Sequence, residues 1–175
     1  MAWIFSLSAE CGSDQNKAHE FAQHFQGIIW LLSNSRYCQC RTDTFQDVEE
    51  NWWCRVSPNN ISEVGINSPE NAYLMTELGI LFYQTLRFAP VFRYALVGVE
   101  VDEFRTYSEL IEDLPNLSIP GLVLAKTLAQ KLEILTVFRP FSNNYIWQPY
   151  EGEVYNPLMV SPDLKSKFNE LLAVG

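Results

Sequence analysis

Cationic side chains are scarce in this sequence, which has 12 lysines and arginines against 21 aspartates and glutamates and a formal net charge of -9. No lysine lies between Lys17 and Lys126, so arginine supplies all the positive charge of that interval. Affinity for phosphate depends on clustered lysine and arginine, and the composition therefore argues against a nucleic-acid-binding protein. We expect a basic protein partner instead.

The sequence also lacks the short motifs of common catalytic and metal sites. It contains no Gly-rich phosphate loop and no HExxH, GxSxG or CxxC motif. The two histidines, His19 and His24, are five residues apart on a predicted helix and point in directions about 140° apart, which prevents them from sharing a metal ion. We therefore predict no cofactor and no metal, and we favour a protein without enzymatic activity.

Long apolar runs are absent as well, since none approaches the roughly 18 residues that a membrane-spanning helix needs. The first residues lack the positively charged N-terminal region and the small-residue cleavage site of a secretory signal peptide. We expect a cytoplasmic protein that does not associate with membranes, and in that compartment cysteines are normally reduced.

The four cysteines, Cys11, Cys38, Cys40 and Cys54, do not have the spacing of a zinc site. A C-x-C pair on a strand places both sulfurs on one face of the sheet without aiming them at a common point. Buried core thiols are therefore favoured over a Cys40–Cys54 disulfide or a metal site.

Hydrophobic residues, which make up 47% of the 175-residue chain, are sufficient for one core, so we predict a single domain over residues 1–175. Apolar periodicity predicts strands over residues 3–10 and 93–102, a hairpin over 37–58, and two helices. The first helix would begin after a cap at Ser13 or Asp14 and end near residue 33, and the second would span residues 68–88. This order, strand-helix-strand-strand-helix-strand, predicts a ferredoxin-like (βαββαβ) α+β core over residues 1–102. Its antiparallel sheet would carry two helices on one face.

Residues 103–175 are predicted to form a C-terminal extension of helices and loop. Within it we expect helices over 107–114, from Pro120 and from Pro162, and a fifth strand over 134–138. The aromatic segment 140–162 is expected to lie against the body of the domain.

The hairpin over residues 37–58 carries three of the cysteines and two tryptophans. A turn centred on Asp47 would place Cys40 opposite Cys54. One face would then carry the cysteines and Val56, and the other would carry Arg41, Trp53 and Arg55. The seven-residue loop does not fix this register.

The face of the sheet away from the helices is one candidate site. We predict that a small anionic ligand would bind there, between the sheet and the aromatic segment, with arginines holding the anion and rings covering it. The candidate residues are Arg41, Trp53, Arg55, Tyr94, Glu100 and Trp147. A solvated face, or arginines neutralised by Glu10 and Glu100 beneath the extension, is the alternative.

Acidic residues next to the predicted strands form the second candidate site. Asp47, Glu49 and Glu50 lie in the hairpin turn, and Asp102 and Glu103 follow the last strand of the predicted core. Such charge runs are often solvated loops, but an acidic edge also attracts a basic partner. The leading interpretation is a non-enzymatic acidic inhibitor, immunity-type or adaptor protein. A small-molecule-binding domain or enzyme, and a homodimer through the sheet, are the alternatives.

Overall fold

The computed structural model describes residues 4–59, 66–102, 104–131 and 138–173. These residues form eight strands and six α-helices. The strands are β1 (Phe5–Gly12), β2 (Ile29–Leu31), β3 (Tyr37–Gln46), β4 (Trp52–Pro58), β5 (Tyr94–Val99), β6 (Val123–Ala125), β7 (Arg139–Ser142) and β8 (Tyr145–Trp147). The helices are α1 (Gln15–Phe25), α2 (Pro69–Leu86), α3 (Tyr107–Asp113), α4 (Lys126–Lys131), α5 (Pro157–Val160) and α6 (Pro162–Ala173).

The eight strands make one antiparallel sheet in the order β2-β3-β4-β1-β5-β6-β8-β7. The predicted ferredoxin-like fold is therefore wrong. It ended the sheet at β5, whereas β5 pairs onward with β6, through Tyr94 with Leu124 and Ala95 with Val123. The predicted C-terminal extension thus supplies three strands of the same sheet, namely β6, β7 and β8. At the other edge, β2 is a further strand that was not predicted.

Helix α1 is shorter than its apolar pattern predicts. It begins after Asp14, whose side chain accepts a hydrogen bond from the Asn16 backbone N–H at 2.9 Å. The predicted helix continued to about residue 33, but α1 ends at Phe25 because Gly27 adopts a left-handed conformation, with φ of 78°. The chain then enters β2, where Trp30 pairs with Cys38.

Helix α2 confirms the strongest sequence signal. Ser68 caps it, accepting from the Asn71 N–H at 3.2 Å, and Pro69 occupies the first turn. It packs on β1 and β5, and it also contacts α5 and α6. Among the described residues, no helix is both long and apolar enough to cross a membrane.

The register of the β3–β4 hairpin differs from the predicted one by four residues. Cys40 lies opposite Pro58, and Cys54 lies opposite Thr44. Because four is an even number, each strand keeps the predicted inward and outward alternation. Cys38, Cys40, Cys54 and Val56 accordingly all pack in the core beneath the helices.

The sheet has a hydrophobic core on each face. The larger core lies on the side of α1, α2, α5 and α6 and includes the four cysteines. The smaller core covers the other face, where Trp53 and Tyr94 pack against residues from α3, β6, α4 and the segments between them. Its buried members are Trp53, Tyr94, Leu110, Leu114, Leu122, Leu124 and Leu128. The face that was predicted to be open is therefore covered by the chain itself.

The C-terminal predictions have mixed outcomes. Helices α3 and α6 occur where the pattern predicts them, and the aromatic segment 140–162 packs against the body through Phe141, Trp147 and Tyr150. The helix predicted from Pro120 is wrong at its start, because residues 123–125 form β6 before α4 begins. The strand predicted over 134–138 lies outside the described residues except for Phe138, and β7 begins at Arg139.

Candidate functional site

The turn of the β3–β4 hairpin is built around the buried carboxylate of Asp47. Its Oδ2 atom accepts a hydrogen bond from Trp53 Nε1 at 2.8 Å. Its Oδ1 atom accepts from the backbone N–H groups of Glu49 and Asn51, at 2.9 and 3.0 Å. Glu50 completes the turn in a left-handed conformation, with φ of 63°. Asp47 thus fixes the turn to the smaller core and leaves Val48, Glu49 and Glu50 exposed to solvent.

A hydrogen bond joins this turn to α3, which is 59 residues away in the chain. The backbone N–H of Ser108, in the first turn of α3, donates to Glu49 Oε1 at 3.1 Å. This bond lowers the pKa of Glu49 below its ordinary value of 4.5, so the carboxylate is ionised at neutral pH. The two acidic segments consequently lie side by side.

Helix α3 has a well-defined start, because Thr106 and Glu109 form a capping box. Thr106 Oγ1 accepts from the Glu109 N–H at 3.3 Å, and Glu109 Oε2 accepts from the Thr106 N–H at 3.2 Å. Glu112 lies one turn further on and is exposed. Three and four residues are neighbouring positions on a helix, so Glu109 and Glu112 present their charges on the same side.

We define the acidic surface as Val48, Glu49, Glu50, Glu109 and Glu112. All five are exposed, and Val48 is 89% exposed at the tip of the turn. An apolar side chain held in solvent gains no burial energy in the free protein. An exposed apolar side chain followed directly by the carboxylates of Glu49 and Glu50 is suited to binding a protein surface of opposite charge.

The five residues predicted to bind a basic partner are not equivalent in the structure. Glu49 and Glu50 belong to the acidic surface, whereas Asp47 is 7% exposed and has its oxygens engaged within the turn. Asp102 forms an ion pair with Arg55 at 3.1 Å, and Glu103 lies outside the described residues. The sequence prediction missed Val48, because its proposed role depends on its exposure, which the sequence does not reveal.

The aromatic residues of the predicted ligand site are core residues. Trp53 and Tyr94 are completely buried in the smaller core, with ring centroids 5.5 Å apart. Trp147 lies on the opposite face of the sheet, in the larger core beside Tyr83 and Phe141. The six predicted residues therefore do not share one surface.

The polar residues of the predicted ligand site are also separated. The Arg55 guanidinium pairs with Asp43 at 2.8 Å and with Asp102 at 3.1 Å, so carboxylates of the chain already occupy its donors. Arg41 and Glu100 are exposed. An added anion would have to displace Asp43 or Asp102 before it could bind Arg55.

The buried acid on the covered face is Glu10, which pairs with Arg93. Arg93 Nε and Nη2 both donate to the Glu10 carboxylate, and the Gly12 N–H donates to it at 2.7 Å. Burial raises the pKa of Glu10, and the bonds with Arg93 oppose that effect. The Arg93 guanidinium also stacks on the Tyr107 ring, 3.8 Å from its centroid. Because Tyr107 is the first residue of α3, its contact with Arg93 fixes α3 to the sheet and thereby supports the acidic surface.

All four cysteines are free and buried in the larger core. Burial raises the pKa of Cys38 to about 11 and the pKa of Cys11 and Cys40 to about 12. Burial also raises the pKa of Cys54. The thiols are protonated at neutral pH and therefore lack the thiolate that nucleophilic chemistry requires.

The histidines are separated from one another: His24 Nε2 donates to the Thr85 carbonyl at 3.0 Å, and His19 is exposed. Within the described ranges, no three His, Cys, Asp or Glu side chains are grouped closely enough to hold a metal ion.

The chain matches no family model, no curated protein and no solved structure. Inference about function therefore rests on the acidic surface and on the remaining surface features of this chain.

Proposed function

We propose that this protein is a non-enzymatic binding protein that engages a basic protein partner through the acidic surface. It would act as an inhibitor, an immunity-type protein or an adaptor that masks a cationic surface on its partner. The observation that carries the proposal is the hydrogen bond from Ser108 N–H to Glu49 Oε1, at 3.1 Å. It holds two acidic segments in one fixed arrangement beside an exposed apolar side chain.

Rigidity distinguishes this surface from an ordinary acidic loop. The turn is fixed by three hydrogen bonds to Asp47, and α3 is fixed by its capping box and by the stacking of Tyr107 on Arg93. A surface that is already ordered loses little conformational entropy when a partner binds. The cost of association is therefore lower than for a disordered acidic tail of the same charge.

The net charge of the whole chain supports the same proposal. With a formal charge of -9, the protein attracts a basic partner before contact is made. Electrostatic attraction of this kind accelerates association and weakens as ionic strength rises. Val48 would then supply apolar contact area at the centre of the interface.

Affinity capture from the source organism, with neutralised variants, tests the proposal. The test variant is Val48→Ser/Glu50→Gln/Glu112→Gln, which leaves the structural bonds of Glu49 and Glu109 intact. The matched control is Glu20→Gln/Glu170→Gln, which neutralises two exposed acids outside the acidic surface. We expect the wild type and the control to recover one basic protein in stoichiometric amount, and the test variant to lose it.

Recovery of the same basic protein by all three proteins would contradict the proposed surface. Recovery of no stoichiometric partner at any salt concentration between about 50 and 150 mM, where charge attraction is still effective, would contradict the proposed function. Circular dichroism of the test variant verifies that its folded structure is retained.

A further inference from the structure

A groove of about 810 Å³ lies between α5, α6 and the end of the sheet at β7 and β8. This volume falls in the range of about 300 to 1,000 Å³ that is typical of ligand pockets. The groove is on the side of the larger core, whereas the acidic surface is next to the smaller core. The lining includes Arg139, Gln148, Leu158, Lys165, Phe168 and Leu172.

The charges of this groove differ in sign from those of the chain as a whole. Arg139 and Lys165 are exposed cations in its lining, and Glu151 is the one acid there. Among the described residues, no carboxylate lies within ion-pair distance of either cation. With two cations and one acid in its lining, the groove is locally cationic in a chain with a net charge of -9, which favours an anionic group there.

Gln148 provides an independent observation. Its side chain is 7% exposed, and its Oε1 atom is buried without a hydrogen-bond partner among the described residues. Its Nε2 atom is 3.5 Å from the Leu117 carbonyl, which is a weak interaction. The backbone fixes Gln148 firmly, through bonds to Gly121 and Leu122 at 2.7 and 3.1 Å. Gln148 is one of the residues that line the groove, and its Oε1 atom can accept a hydrogen bond from an occupant.

Apolar side chains form the remaining wall. Leu158 is buried, Phe168 and Leu172 are half-buried, and all three face the groove. An occupant that uses all of these groups combines three properties, namely an anionic group, an N–H or O–H donor, and an apolar side chain. A simple alkyl carboxylate has the first and third properties but lacks the donor.

We propose that this groove binds the free C-terminal end of a peptide whose last residue is apolar. The α-carboxylate pairs with Arg139 and Lys165, a backbone N–H of the peptide donates to Gln148 Oε1, and the last side chain packs on Leu158, Phe168 and Leu172. Capture of a C-terminal carboxylate is an established mode of peptide recognition. This site is separate from the acidic surface and does not depend on the function proposed above.

Fluorescence polarisation with the full chain tests the site. The probes are labelled hexapeptides that end in Leu, Ile, Val or Phe, each made with a free carboxylate and with a C-terminal amide. We expect at least one free-acid peptide to bind and its amide to bind at least about tenfold more weakly, because a charge-assisted bond is lost. Arg139→Gln/Lys165→Gln should weaken the free-acid peptide to the level of the amide, whereas the control Lys17→Gln should not.

Gln148→Met separates binding from folding. The substitution preserves side-chain size, removes an acceptor without a partner and loses only the weak Nε2 bond to Leu117, so the melting temperature should change little. Affinity for the free-acid peptide should nevertheless fall several-fold. Equal affinity of acid and amide peptides, absence of binding by every peptide, or equal competition by decanoate would each overturn the proposal.

Discussion

Two serine side chains on β1 are buried without hydrogen-bond partners among the described residues. Ser6 and Ser8 are both completely buried, and their Oγ atoms have no partner. They lie on the covered face of the sheet, where Ser8 is next to Arg55 on one side and Leu96 on the other. A buried hydroxyl without a partner retains the cost of leaving water.

Replacement of Ser8 by alanine should therefore not destabilise the protein. We expect the free energy of unfolding of Ser8→Ala to be unchanged or higher by up to about 1 kcal/mol. Ser33→Ala is the matched control, because Ser33 Oγ bonds to the buried Glu77 carboxylate at 3.2 Å, and its loss should cost about 1 kcal/mol. Urea unfolding measures both. A loss in Ser8→Ala as large as in Ser33→Ala would show that Ser8 has a partner.

Glu153 gives a prediction for the pH dependence of stability. Burial raises the pKa of Glu153 above its ordinary value of 4.5, although the Tyr150 hydroxyl donates to its carboxylate. Folding therefore favours the protonated acid. Its contribution to stability is greatest below pH 4.5 and is lost as the pH rises through the folded-state pKa.

Comparison with Glu153→Gln isolates this contribution from those of other acids. As the pH is raised above about 4.5, the wild type should lose stability relative to Glu153→Gln. Urea unfolding of both proteins at a series of pH values measures the difference. A difference that stays constant with pH, or that changes in favour of the wild type, would contradict the raised pKa.

Close packing between α2 and the segment after β8 leads to a prediction about how these two elements contribute to stability. A Cβ atom added at Gly79 would lie 2.7 Å from the Tyr150 hydroxyl oxygen and 2.8 Å from the adjacent ring carbon. Alanine is favoured over glycine in a helix by about 1 kcal/mol, but here the buried ring would have to move. We expect Gly79→Ala to lower the free energy of unfolding by about 1 to 3 kcal/mol.

A double-mutant cycle with Tyr150→Leu checks that interpretation. In the Tyr150→Leu background, Gly79→Ala should cost clearly less than in the wild type, because the ring that it displaces is gone. The measurement is urea unfolding of the two single variants and the double variant. Equal costs in both backgrounds would mean that α2 does not depend on this contact.

The hairpin illustrates how much of an element its sequence determines. Alternation of apolar and polar residues correctly predicts that Cys54 and Val56 face the helices, because side chains of a strand alternate between the two faces. The register depends instead on the turn, and there the Asp47 side chain selects a tight loop through bonds to Trp53, Glu49 and Asn51. Apolar periodicity contains no information about those bonds.

Longer-range pairing explains the other wrong predictions. Ile28 and Leu32 fit the apolar stripe of a longer α1, yet the left-handed turn at Gly27 and pairing with β3 place the chain in a strand. Likewise, residues 123–125 are a strand because β5 and β8 flank them. The candidate site could not be predicted from local sequence patterns for the same reason, because its two acidic segments are joined by a contact between residues 59 positions apart.

At the scale of the whole molecule, the C-terminal part of the chain completes both the sheet and the smaller core. A fragment of residues 1–102 would lose β6, one of the two strands that pair with β5, and the cover of Trp53 and Tyr94. We therefore expect this fragment to lack a cooperative unfolding transition, because a large apolar face would be exposed. Urea titrations followed by circular dichroism and tryptophan fluorescence measure this. A sharp transition, coincident by both probes, would show that the first 102 residues fold alone.

The acidic surface likewise requires both the hairpin and the C-terminal part of the chain. Its turn comes from the β3–β4 hairpin, and its helix comes from the C-terminal part, fixed to the sheet by Arg93 and Tyr107. The proposed function therefore makes a spatial claim, that one partner contacts both segments at once.

Hydrogen–deuterium exchange of the complex with the captured basic partner tests this claim most directly. Binding at the acidic surface should slow exchange of the backbone amides in residues 47–51 and 107–113 together, relative to the free protein. Exchange around α6, which lines the other groove, should remain unchanged. Slower exchange in only one of the two acidic segments, or around α6 instead of both, would contradict the account.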